Sequence, residues 1–374
     1  MAENKLNLVG HPYAPIGMGE HIRSTARCLR SVGQSFGLTD IYDLNPPSTD
    51  DKAEFGDLIS NKAGDVNIYH INGNEIEQSL KHLTSTIGWS GYNIIYPFWE
   101  LSVYPEVWAK HVDRFDEIWA ASDFVYQGLK NACAKPVTYM RMSCELSVTE
   151  FYGRRYFKIP ETAYVFLFFY DLRSFSSRKN PHAVVDAFRS ALSERPFSNA
   201  HLVVKVNGAD LKPDEFDALK DVLNEFGSHV TLIDQLMTGT EVKNLTRCAD
   251  CFVSLHRSEG FGLGIAEAMV LGKPVIATAY SGNVDFMDPS VSFGIDYKLI
   301  PVKTDEYPHW ENQVWAEPDV PQAVQYMIRL LDSPAKGRDF GYSAKKHMQI
   351  NFSHRKIGLN YLRRIDEINL ALQK

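Results

Sequence analysis

The 374-residue sequence predicts an α/β protein of two Rossmann-like domains, each built on a mostly parallel sheet with helices on both faces. Three observations carry the prediction. Short apolar runs of strand length alternate with stretches of helical period. The alternation breaks off before residue 160 and restarts at Thr162. The chain is also long enough to fill two cores of ordinary size.

In the first domain, residues 5–10 read as a strand and 20–31 as a helix stopped near Gly33. Further strands are expected at 66–71, 93–98, 117–121 and 137–142, with helices between several of them. The polar stretch 45–51 reads as a surface loop, and the boundary falls at 153–160. The second domain then offers strands near 163–170, 200–206, 230–233, 250–255 and 274–277, with helices near 181–193, 214–225 and 241–248. A final helix spans about 354–372. Parallel sheets of this kind hold ligands at the carboxyl ends of their strands, so the loops there are the candidate sites.

Glu259 and Glu267 frame the richest of these loops. The run Glu259-Gly260-Phe261-Gly262-Leu263-Gly264-Ile265-Ala266-Glu267 lies between a short apolar strand and a second strand entered through Gly272-Lys273-Pro274. A glycine-rich turn feeding a helix presents free backbone N–H groups to an anion. A carboxylate accepts charge-assisted hydrogen bonds from vicinal hydroxyls, so a phosphate-bearing ligand with hydroxyls fits both halves. The alternative is a solvated loop acid at Glu259 and a dipole-favoured helix acid at Glu267.

Four other loops carry candidates. Gly17 and Gly19 follow the first strand and precede a helix; they either let backbone approach a diphosphate or serve turn geometry alone. The third glycine of a dinucleotide fingerprint is replaced by Ile22, which disfavours a dehydrogenase. His70 ends the 66–71 strand and reads as crevice-facing or as a core histidine. Trp99 reads as core, and Glu100 is an acid set beside a run of apolar residues. After the 163–170 strand, Lys179 stands ahead of Asn180 and Pro181, an expected N-cap and first helical residue, which is where a phosphate cation belongs. Arg173 and Arg178 lie close by, and Arg178 reads as a solvated surface charge. Gly282 and Asn283 follow the 274–277 strand and either border a pocket or form its turn.

The Glu259–Glu267 segment, with its Phe-Gly-Leu core, Glu-Ala-Met helix and Gly-Lys-Pro-Val strand entry, resembles the E-x7-E signature of the GT4 retaining glycosyltransferases, which have the GT-B fold. The resemblance is strongest over residues 168–283. It implies two Rossmann-like domains with parallel sheets facing across a cleft: residues 1–155 on the acceptor side, joined by the helix at 354–374, and residues 160–350 binding the donor. Glu259 would then contact the donor sugar and Glu267 the ribose, with Phe261, Gly262 and Leu263 in the donor loop. Arg173 and Lys179 reproduce the family's six-residue Arg–Lys spacing and would neutralise the diphosphate. Many relatives carry a histidine where this chain has Trp99-Glu100, which resembles a subgroup acting in bacterial surface-polysaccharide assembly and would make Glu100 a candidate to orient the acceptor hydroxyl or the donor sugar.

The implied reaction is retaining transfer of a mannose- or glucose-type hexose from a GDP-, UDP- or dTDP-linked donor to a saccharide or lipid-linked saccharide. The alternatives are a nucleotide-sugar epimerase, a phosphorylase, or a silent nucleotide-sugar-binding scaffold. No cofactor and no metal are expected, because no His and Asp cluster has ligand spacing and basic side chains can supply the charge. A net charge of -7 disfavours nucleic acid as a partner. The five cysteines read as reduced thiols, and the first residues show no secretion signal, so the cytoplasm is expected. A lipid-linked acceptor would add peripheral contact with the inner face of the membrane.

Overall fold

The computed structural model describes residues 6–41 and 53–374; residues 45–51 and Lys5 of the expected first strand lie outside that range. The chain divides into two compact units: Met1–Cys144 with Ile350–Lys374, and Glu145–Gln349.

The first unit contains β1 (Leu6–Gly10), α1 (Gly17–Ser31), β2 (Gly37–Asp40), β3 (Val66–Tyr69), α2 (Ile76–Thr86), β4 (Tyr92–Ile95), α3 (Glu106–Val112), β5 (Glu117–Ala120), α4 (Asp123–Ala132) and β6 (Val137–Tyr139). Its sheet runs β2-β1-β3-β4-β5-β6, and every pairing is parallel. The order reverses between β1 and β3, so the loops after those strands flank the point where a doubly wound sheet leaves a crevice. Several strands are shorter than their apolar runs suggest. The run after β4 reaches Pro97, which has no N–H to give a ladder, and it leaves the sheet before that residue.

The C-terminal helix His354–Leu372 belongs to this unit. A side chain at Gly358 would come within 2.4 Å of the Cys28 carbonyl oxygen, so glycine is what lets this helix close on α1. Charge ties it to the sheet as well. Glu117 is fully buried on β5 and accepts from Arg364 Nε at 3.0 Å and Nη2 at 2.8 Å, from Trp119 Nε1 at 3.0 Å and from Tyr92 at 3.2 Å. A buried carboxylate is stable only when its lone pairs are filled in this way.

The second unit contains β7 (Tyr164–Asp171), α5 (Ser176–Lys179), α6 (Pro181–Glu194), β8 (Ala200–Asn207), α7 (Pro213–Asn224), β9 (Val230–Ile233), α8 (Gly239–Cys248), β10 (Cys251–Ser254), α9 (Leu263–Val270), β11 (Val275–Thr278), β12 (Phe293–Ile295), β13 (Tyr297–Pro301), β14 (Val314–Pro318), α10 (Val320–Asp332) and α11 (Pro334–Asn351). Its main sheet runs β12-β11-β10-β7-β8-β9, again all parallel, while β13 and β14 form a separate antiparallel pair that the helix and strand periods do not announce. Alternate residues Leu202, Val204 and Val206 of β8 join Phe166 and Phe168 of β7 in an apolar core with α6, α7 and α10.

The division falls at Cys144/Glu145, before the expected 153–160. The intervening segment is tied to the second unit: Tyr152 N–H donates to Asn244 Oδ1 at 3.0 Å, and Arg154 donates to Cys248 O at 3.0 Å and Asp250 Oδ2 at 2.7 Å. Among the described residues, no helix is long and apolar enough to cross a membrane, and all five cysteines are free thiols.

Arg364→Leu leaves the Glu117 carboxylate buried without its cation and should cost about 3 kcal/mol, seen as a lower melting temperature that Glu117→Gln partly restores in the double variant. His21 and His70 are fully buried with ring centroids 4.5 Å apart, and among the described residues neither ring nitrogen of either has a hydrogen-bond partner. Burial lowers the pKa of both, that of His70 to about 3. The unfolded chain therefore binds more protons below the ordinary histidine value of 6.5, and stability falls as pH drops through that window. Acidification from pH 7 to 5 should remove roughly 2 kcal/mol through His70, and His70→Phe should flatten that loss in a urea titration.

Candidate active site

In the second sheet the strand order reverses between β7 and β10. These two strands are adjacent and parallel, so the loops leaving their carboxyl ends meet. After β7 the chain makes a tight turn over Leu172–Ser174, takes a positive φ of 65° at Phe175, forms the single turn α5, and takes another of 54° at Asn180 before α6. Asn180 occupies the expected N-cap but makes no capping hydrogen bond; the position uses its tolerance of left-handed backbone. The double reversal turns Arg178 and Lys179 toward the end of β10.

There they meet Glu259. Arg178 Nη1 lies 3.1 Å from Glu259 Oε2 and donates to Ser258 O at 2.9 Å, while the Lys179 ammonium pairs with Glu259 Oε1. Side-chain exposure is 5% for Arg178, 12% for Glu259 and 19% for Lys179. Burial alone would raise the Glu259 carboxyl, but Lys179 and Arg178 outweigh it and bring it down to about 2. Arg178 is thus a buried anchor rather than the solvated charge the sequence suggests. Arg173 does not join Lys179: it is half-exposed and holds Asp171 through Nε at 2.9 Å and Nη2 at 2.6 Å. The six-residue spacing is present, yet the turn at 172–175 separates the two side chains.

The Glu259 loop is fixed from behind. Its N–H donates to Ser281 Oγ at 2.7 Å, and Gly282 N–H donates to Glu259 O at 2.9 Å. A side chain at Gly282 would lie 2.1 Å from Gly260 O, so only glycine permits this approach. Asn283 is fully buried, and its Nδ2 donates to Thr278 O at 2.8 Å. Its Oδ1 therefore accepts from His256 Nε2 at 3.0 Å, which leaves His256 Nδ1 to accept from Ser254 Oγ at 3.0 Å. Burial lowers the His256 pKa and keeps the ring neutral for this role. Gly282 and Asn283 thus brace the loop. Neither the sequence motif nor its spacing marks His256 as part of the brace.

Beyond the loop, Phe261 is buried against Phe286, with ring centroids 5.2 Å apart. Gly262 takes φ 89° as the N-cap of α9, and a side chain at Gly264 would strike the Phe169 ring at 2.9 Å. The first turn of α9 so sits tightly against β7 and aims its N–H groups beyond the strand ends. Leu263 and Glu267 are half-buried on this helix.

In the first unit, Gly17 is exposed with nothing within 4 Å of an added side chain, whereas one at Gly19 would lie 2.1 Å from Ala14 O. Gly19 is needed by the loop, which Arg23 secures through Pro12 O at 2.9 Å and Ala14 O at 3.1 Å. His70 does not reach solvent; it is packed within the core against His21 and Tyr96. Trp99 is buried against Trp108 at 5.0 Å, and its Nε1 donates to Val103 O at 2.7 Å. Glu100 beside it is half-buried. His11 and Glu75, 2.9 Å apart after β1 and β3, form a pair that no motif announces. Among the described residues, no group of three or more His, Cys, Asp or Glu side chains is arranged to hold a metal ion.

The chain is 29% identical over 112 residues to a trehalose synthase of Pyrococcus horikoshii, covering 30% of this chain and 22% of that protein. It is 25% identical over 189 residues to a trehalose synthase of Rubrobacter xylanophilus, covering 50% of this chain and 40% of that one. It therefore spans well under half the length of either relative. The crystal structure of Anabaena Alr3699/HepE in complex with UDP and glucose superposes with a TM-score of 0.70 at 12% identity, over 98% of this chain and all of that one, which shows a shared fold. The two parallel-sheet units are those of GT-B glycosyltransferases. The profile of the "Glycosyl transferases group 1" family matches residues 154–347, more than half of the chain and the whole of the Arg178, Lys179 and Glu259 site, and the chain belongs to that family.

Proposed function

We propose that this glycosyltransferase moves a hexose of mannose or glucose type from a nucleoside diphosphate sugar to an acceptor hydroxyl, with retention and without a metal, in polysaccharide or glycoconjugate synthesis. The observation that carries the reading is the pairing of Lys179 and Arg178 with Glu259 beside the N-terminus of α9. Cations and N–H dipoles already in place are what a departing diphosphate requires, and two basic side chains can do a metal's electrostatic work.

Without donor, Glu259 pairs with both cations and leaves the cluster with one positive charge in excess. An incoming diphosphate competes for the more exposed Lys179, which frees Glu259 Oε1 to accept from sugar hydroxyls, while Arg178 keeps the loop in place through Ser258 O. Glu267 accepts from the ribose. Arg173 stays on Asp171 at the edge of the phosphate site. As the bond from the anomeric carbon to phosphate oxygen lengthens, negative charge grows on the diphosphate next to Lys179. The acceptor oxygen bonds the anomeric carbon on the same face and passes its proton to the departing phosphate oxygen. A covalent glycosyl-enzyme trapped in the wild type would overturn this route.

UDP is the first nucleotide to try, since the HepE structure contains it. The acceptor is a saccharide, free or lipid-linked; the second case would bring the chain to a membrane surface. At one hundred times its dissociation constant, the matching nucleoside diphosphate among UDP, GDP, dTDP and ADP should stabilise the protein by about 2.7 kcal/mol in a thermal melt. Glu267→Ala should abolish that gain, and stabilisation by none of the four would sink the reading.

The two cations should separate in the same assays. Lys179→Ala should lower kcat by ~100-fold or more with little change in melting temperature. Arg178→Ala strips a buried carboxylate and a carbonyl of their donor, so it should lower the melting temperature too, by the equivalent of about 2 kcal/mol.

A further inference from the structure

Lys205 is the one lysine or arginine in β8, and it is 3% exposed. Because Leu202, Val204 and Val206 fill the apolar core on one face of the sheet, Lys205 belongs to the opposite face. Its register partner is Phe169 of β7, whose ring abuts Gly264 at the start of α9. Lys205 therefore lies on the sheet face covered by the helix that begins at the Glu259 loop and carries Glu267.

Its charge is poorly matched there. Among the described residues the ammonium forms one hydrogen bond, to the neutral Oδ1 of Asn207, although it has three donors. Asp171, the register partner of Asn207, is the nearby carboxylate, and both of its oxygens are engaged by Arg173. β9, the other neighbouring strand, has no titratable side chain, and Glu267 is the one such residue on α9. A purely structural lysine this deep would be expected to face a carboxylate of its own, since burying an ammonium costs several kcal/mol. A polyanion beyond the strand ends would supply the missing counter-charge.

We propose that Lys205 is a further donor-binding cation, its ammonium contacting a phosphate oxygen of the nucleoside diphosphate. The inference rests on the donor-site reading given above. Burial lowers the Lys205 pKa to about 8, with Asp171 opposing and Arg173 adding to the shift. The terminal phosphate loses its last proton at about pH 6, a change that can only strengthen binding to a cation, so loss of the Lys205 proton is the event that should weaken binding as pH rises through 8.

Calorimetric titration of the full chain with whichever of UDP, GDP, dTDP or ADP stabilises it, from pH 6.5 to 9.5 at fixed ionic strength, tests this. In the wild type Kd should be flat to about pH 7.5 and then rise by up to tenfold per pH unit. Lys205→Met should bind about tenfold or more weakly at pH 7, show no upturn near 8, and melt no lower than wild type, because it fills similar volume without the buried charge. Lys205→Arg, charged throughout, should keep binding and lose the upturn. If Lys205→Met lowers the melting temperature instead, Lys205→Arg decides: an unchanged upturn in that variant overturns the proposal. Wild-type affinity and pH profile in Lys205→Met would overturn it while leaving the donor site intact. Failure of the wild type to bind any of the four would overturn both.

Discussion

The second unit is organised around one buried ion cluster, Arg178 and Lys179 against Glu259. Its position follows from topology. β7 lies between β8 and β10, so the chain leaves β7 in one direction to build β8 and β9 and returns on the other side with β10. That reversal places the loop after β7 beside the loop after β10, and the basic pair on one beside the acid on the other. Both loops would otherwise bring like charge or unpaired backbone into a partly buried space. Arg178, with a guanidinium that reaches Ser174 O, Ser258 O and Glu259, closes that space, and a lysine could not span three acceptors in this fixed fork.

The fold was largely legible because its signals are local and repeated. Two runs of alternating apolar strands and amphipathic helices imply two parallel sheets, and the final helix appears where its periodicity puts it. The segment from Glu259 to Glu267 was legible as a loop feeding a helix for the same reason, since its signals are contiguous. What could not be read was side-chain direction where the backbone departs from regular structure. Arg173, Arg178 and Lys179 lie within seven residues, and which of them reaches Glu259 is decided by positive φ at Phe175 and Asn180. No periodicity encodes that. Phe175 is an especially poor sequence clue, since a bulky residue rarely takes such a backbone, and it is held there with its ring 4.8 Å from Tyr307.

Buried polar residues form a second class that sequence left undecided. His70 and His256 follow apolar strands and Lys205 lies within one, and these similar patterns yield three situations: a core ring with no hydrogen-bond partner among the described residues, a neutral brace between Ser254 and Asn283, and an ammonium with a single acceptor. The differences arise from the neighbouring strand and from what covers that face of the sheet. A lone polar residue in an apolar run therefore says that something must satisfy it, without saying what. In β8 the available signal was the interruption of the apolar run 202–206 by one lysine.

Strain points to the same place as charge. Of the non-glycine residues with positive φ, Phe175 and Asn180 flank the basic pair, and Ser281, at φ 72°, accepts the N–H of Glu259. Each such residue costs of order 1–3 kcal/mol and persists only where its surroundings over-determine it. Here the determinants are visible: Tyr307 packs on Phe175, Gly282 admits Gly260, and Asn283 is locked between Thr278 and His256. A loop held by that much fixed structure cannot relax to follow its charges, so Lys179 and Glu259 stay in place when one of them changes partner. That is the condition under which electrostatic stabilisation is most effective, because the dipoles and charges need no reorganisation while the bond breaks.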